Sequence, residues 1–118
     1  MQVHRTVVLP LPPEQAWQRA LDPAVLADWL GRFAVDWIPG AHGRATVDGV
    51  VHHVVVDVVD EPRRLELRWW AIDPDRGAGP PTSVELKFLA TPGGTEVVVI
   101  EQPASRPVGF TALMKPQR

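Results

Sequence analysis

The sequence contains no cysteine. That excludes disulfides, thiol nucleophiles and thiolate metal centres, and it leaves the redox compartment open. It contains no tyrosine, so no phenol can act as an acid or anchor a ligand. Of twelve basic residues only Lys87 and Lys115 are lysines; the other ten are arginines, scattered singly except for Arg63-Arg64. Phosphate backbones require a clustered basic face, and the net charge here is −2, so nucleic acid is not an expected partner. No apolar run approaches the ~20 residues of a membrane helix. Pro10, Pro12 and Pro13 break any apolar stretch near the start, so no signal-peptide pattern forms and the expected location is cytoplasmic. The only serines, Ser83 and Ser105, lie at a strand start and in the tail, without the strained turn of a nucleophile. Gly93-Gly94 reads as a hairpin turn, and Gly77-Ala78-Gly79 opens no helix, so there is no phosphate-cradling loop.

What is present fits one domain over residues 1–118, with 45% of residues hydrophobic. Valine is the commonest residue, and its β-branching favours strands. Gln2–Leu9 reads as a first strand, stopped by Pro10-Leu11-Pro12-Pro13. Ala16, Trp17, Ala20 and Leu21 then form one helical stripe. Asp22 caps a second short helix, with Pro23 at its first position and Val25, Leu26, Trp29 and Leu30 as its stripe. After Gly31 the period switches to two. Strands are expected at Ala34–Ile38, Arg44–Val47, Val50–Asp60, Leu65–Ile72, Val84–Phe88 and Thr95–Gln102. Asp48-Gly49 is a type I′ hairpin signature, which places His53 across from Arg44 and His52 across from Ala45. Asp73–Pro81 reads as a loose loop, and the tail, 103–118, as weakly structured or swapped. Short turns between consecutive strands imply an antiparallel meander, so the fold class is α+β.

Several stretches, taken in order, resemble the START-like (SRPBCC) superfamily, and within it the branch similar to the activator of the heat-shock-protein-90 ATPase. They are Pro13-Glu14-Gln15-Ala16-Trp17 followed by Leu26-Ala27-Asp28-Trp29-Leu30, then Asp36 with Pro39-Gly40, then Glu61-Pro62-Arg63-Arg64-Leu65 through Trp69, and finally Gly94-Thr95-Glu96-Val97. The resemblance implies a helix-grip fold, in which a curved sheet grips a long C-terminal helix with a ligand cavity between them. Here only 16 residues follow Gln102, and Pro103, Pro107 and Pro116 break them, so the usual long helix is expected to be shortened or missing. An uncovered concave face lined by Leu65, Leu67, Trp69, Val84, Leu86, Phe88, Val97 and Val99 would be a large apolar patch, which predicts a homodimer or a truncated chain.

Those eight residues, with Glu101, are the expected ligand-binding set. The leading reading is a non-enzymatic binder of a hydrophobic small molecule or lipid, with no cofactor and no metal. A second reading is an enzyme of the cyclase or hydrolase kind, with Glu101 and one of His52 or His53 as acid and base. A third, suggested by the co-chaperone resemblance, is a protein-binding module using the surface around Trp70. His42, His53 and Asp57 could in principle form a two-histidine, one-carboxylate metal site, but their spacing is not diagnostic.

Overall fold

A computed structural model describes residues 2–104. Of the expected tail, 103–118, Pro103 ends the last strand and residues 105–118 lie outside the described residues. The order is β1 (Val3–Leu9), α1 (Pro13–Ala20), α2 (Pro23–Trp29), β2 (Arg32–Ala34), β3 (His42–Val47), β4 (Val50–Asp60), β5 (Arg64–Asp73), β6 (Gly77–Ala78), β7 (Thr82–Thr91) and β8 (Gly94–Pro103). The strands form a curled antiparallel sheet in the order β1-β8-β7-β5-β4-β3-β2, with β6 pairing the end of β5. This is an α+β, helix-grip-like architecture with its two short helices after the first strand.

Local chemistry accounts for most of the element boundaries. Pro13 starts α1, where a missing N–H costs nothing, and Glu14 sits in its first turn. Asp22 accepts hydrogen bonds from the Ala24 and Val25 amides at 3.0 and 3.4 Å, and so caps α2. Asp48 and Gly49 both adopt positive φ, 50° and 79°, as a type I′ turn requires, and Val47 pairs with Val50. Arg44 lies opposite His53, and Ala45 opposite His52. The first strand after the helices forms at Arg32–Ala34 and not at Ala34–Ile38. Its pairing with β3 sets Ala34 against Arg44, which leaves Val35 and Trp37 to pack on the core from a loop. The Asp73–Pro81 loop also holds the short strand β6, paired with Ile72 and Asp73.

Strand alternation divides the side chains. The concave face carries Val54 and Val56 of β4, Leu65, Leu67 and Trp69 of β5, Val84, Leu86 and Phe88 of β7, and Val97 and Val99 of β8. Ala16, Trp17, Ala20, Leu26 and Leu30 of the helical segment join the same cluster. Trp17 meets Phe88 with ring centroids 5.1 Å apart. Each such side chain taken out of water contributes roughly 1.5–3 kcal/mol. The eight apolar residues expected to lie uncovered are therefore 0–6% exposed within a single chain. The exposed patch that motivated a homodimer is not there: these side chains are buried in one cluster with the helical stripes.

Candidate functional site

The concave face stays open at the end where α2 meets the β3–β4 hairpin. A cleft of about 800 Å³ lies there. Its walls are Ala27–Arg32 at the end of α2, Thr46–Gly49 of the hairpin, Val3 and Arg5 of β1, Trp69 of β5 and Glu101 of β8. A second cleft, of about 400 Å³, adjoins it between β1, the helices and β8. Thr6, Val7, Leu9, Ala20, Val25, Val97 and Val99 line it, and it shares Arg5, Asp28 and Trp29 with the first.

The placement of each wall residue follows from register. Arg5 pairs with Val99, and Val99 faces inward, so Arg5 faces inward too. Glu101 pairs with Val84, which is fully buried on the concave side, so its carboxylate also enters the hollow. There the Arg5 Nη2 donates to Glu101 Oε2 at 3.1 Å, and Arg5 Nη1 donates to the Trp29 carbonyl at 3.2 Å. Trp29 is held in turn by its indole N–H, which donates to the Ala20 carbonyl at 3.1 Å. Trp69 is braced by Phe33 and His52, with ring centroids at 5.9 and 5.4 Å. The result is a wall of rigid aromatic and aliphatic surface carrying one charged pair at the junction of the two clefts.

The structure divides the expected ligand-binding set. Trp69 and Glu101 line the larger cleft, and Val97 and Val99 line the smaller. Leu65, Leu67, Val84, Leu86 and Phe88 line neither; they belong to the buried cluster that also holds Trp17 and Leu26. Arg5 and Asp28 were not singled out by the sequence, and Trp29 read only as core. Finding Arg5 requires the β1–β8 pairing, a contact across almost the whole chain that no local pattern encodes.

His53 is on the other face. It stacks on Trp70 with centroids 4.8 Å apart, and its Nε2 lies 2.8 Å from His42 Nδ1. Burial, followed by the nearby His42 and Arg44 charges, holds its imidazole below the ordinary histidine range. Glu101 opens into the concave hollow, so His53 and Glu101 do not form an acid–base pair. His52 does face the hollow, beside Trp69, and its Nδ1 lies 3.0 Å from the Val50 carbonyl. The metal constellation does not assemble either. A bulge between Val56 and Val58 displaces Asp57, and Arg68 takes both its carboxylate oxygens at 2.7 Å. Among the described residues no cluster of three metal-ligating side chains occurs. Trp70, expected as an exposed aromatic, is 1% exposed and packs with Val55 and Ala78, because β6 folds beside it. No described helix is long and apolar enough to cross a membrane.

This geometry has relatives among solved structures. The crystal structure of DynU16, a protein of the dynemicin biosynthetic locus, superposes with a TM-score of 0.72 at 27% identity, covering 95% of this chain and 41% of that one. The chain thus spans less than half the length of that relative. MLL2253 from Mesorhizobium loti gives a TM-score of 0.73 at 22% identity, covering 95% of this chain and 82% of its own. CalU16 from Micromonospora echinospora gives 0.65 at 20% identity, covering 88% and 61%. At the latter two identities the likeness shows the fold alone. No curated protein matches the chain. The family model described as activator of Hsp90 ATPase homolog 1-like protein matches residues 10–115, nearly the whole sequence, and the chain belongs to that family.

Proposed function

We propose that the protein binds a hydrophobic small molecule in the paired clefts between α2, β1 and the open end of the concave sheet. One observation carries the reading: an apolar cleft of about 400 Å³, walled by Val7, Leu9, Val25, Val97 and Val99, runs into a larger one faced by Trp29 and Trp69. Ligand sites are commonly built this way, as concave apolar surface of some 300–1,000 Å³ with a few placed polar groups. The Arg5–Glu101 pair supplies those groups. The family's fold supports the reading, as does the likeness to DynU16, a protein of the dynemicin biosynthetic locus. The acid–base alternative retains only Glu101 and His52 on the concave side, and binding without turnover is the simpler account.

Native mass spectrometry of the purified protein tests the proposal. The expected result is a species carrying a small apolar adduct, or one that takes up the uncharged probe N-phenyl-1-naphthylamine with a stoichiometry of one per chain. Val25→Trp, which fills the smaller cleft from a half-buried wall position, should abolish the uptake while leaving the circular dichroism spectrum unchanged. Uptake that survives Val25→Trp undiminished would count against the cleft. The same spectra report whether the chain is a monomer or a dimer.

A further inference from the structure

We infer that the ligand carries a protonated amine beside its apolar body, an inference that rests on the binding role proposed above. The argument is a charge inventory of the larger cleft. Its walls bring together Arg5, Arg32, Asp28, Asp48 and Glu101. Arg5 is already committed, with one guanidinium nitrogen on Glu101 and another on the Trp29 carbonyl. Glu101 is committed by the same contact. Among the described residues that leaves three charges in the lining. Among the described residues neither Asp28 nor Asp48 has an ion pair or a side-chain hydrogen bond, and Arg32 is the single unpaired cation facing them. The two free carboxylates stand on different elements, Asp28 on α2 and Asp48 in the β3–β4 turn, with the cleft between them.

A ligand carboxylate entering this cleft meets two like charges and one opposite one. The Arg5 guanidinium already shares its charge with Glu101, which lessens its pull on such a group. An ammonium meets the reverse: two free carboxylates and one like charge, Arg32. Asp28 lines both clefts, so a cationic head beside it would leave the apolar body free to enter the smaller one. These groups are solvent-exposed, so the attraction is modest and screened by salt. It sets which head group is preferred, while the apolar cleft supplies most of the affinity.

Isothermal titration calorimetry with three probes that share one ring system separates the possibilities. The probes are 2-naphthylmethylamine, 2-naphthylmethanol and 2-naphthoate, at pH 7 and low salt. The inference predicts that the amine binds tightest and the carboxylate weakest, with roughly a tenfold gap between them, as expected for two exposed charge contacts. Raising the salt to 0.5 M should narrow the gap. The double variant Asp28→Asn with Asp48→Asn should bring the ratio of amine to alcohol affinity to within about twofold. Asparagine tolerates the positive φ at position 48, so the hairpin survives this change. Equal affinities, or a preference for the carboxylate, would overturn the inference and leave the hydrophobic-binding proposal standing. Failure of all three probes to bind would overturn both.

Discussion

At the scale of single residues, the molecule separates two kinds of charge. Those on the convex face are structural. Arg68 holds Asp57 through two 2.7 Å contacts, and His53 lies against Trp70 and His42. The depressed imidazole of His53 has a consequence for stability. A base whose folded-state pKa is lowered contributes stability that is fully present above its unfolded value, about 6.5, and is lost as pH falls through the lower folded value. Thermal melts should therefore show Tm falling as pH drops below about 6.5, and His53→Asn should flatten that slope. An unchanged slope in the variant would assign the acid sensitivity elsewhere. The Arg5–Glu101 pair on the concave face is partly exposed, at 46% and 22%. Glu101→Gln should therefore change stability by less than ~1 kcal/mol in urea denaturation. The alternation of β8 put Glu101 on the same face as Val97 and Val99 from sequence alone. Its partner, Arg5, was not legible, because strand pairing between the two ends of a chain leaves no local signature.

At the scale of elements, α2 is the part on which the site depends. Seven residues make a helix too short to persist alone, so its cap and its buried Leu26 hold it in place. Asp22→Ala removes the acceptor for two amides and should cost about 1 kcal/mol. Because the end of α2 walls both clefts, the same variant should weaken probe binding several-fold, which calorimetry would show. The β7–β8 turn has a tighter constraint. Gly94 has φ 142°, and a Cβ there would lie 2.1 Å from the Leu9 carbonyl oxygen and 2.9 Å from the Pro10 Cα. Both neighbours are backbone, so Gly94→Ala should destabilise by well over 1 kcal/mol, with the turn and the β1–α1 connection forced apart. Caps, the Asp48-Gly49 turn and both helix stripes were readable because they are local chemistry. The shift of β2 to Arg32–Ala34 was not readable. Val35 and Trp37 have the same apolar alternation whether they extend a strand or pack from a loop, and only the pairing with β3 decides between them.

At the scale of the whole molecule, the sequence indicated an apolar hollow and left open what roofs it. Leu65, Leu67, Val84, Leu86 and Phe88 share one buried cluster with the stripes of the two short helices. Leu67→Ala should accordingly cost 2–5 kcal/mol in chemical denaturation, the range for a large-to-small change in a close-packed interior, and not the small effect expected of a cavity wall. Among the described residues, the end near Trp29, Trp69 and Glu101 opens into the larger cleft. A volume argument of this kind cannot be made from strand alternation, which assigns a face but not the depth of what packs on it. The central claim is that this open end receives an apolar guest. Five tryptophan indoles serve as reporters at known places in the fold. Two-dimensional nitrogen–proton spectra during titration with 2-naphthylmethanol test the claim most directly. The indole signals of Trp29 and Trp69 should shift in a saturable way, while those of Trp17, on the buried face of α1, and Trp70, on the convex face, stay in place. Saturable shifts at Trp70 with Trp29 and Trp69 unmoved would contradict the account.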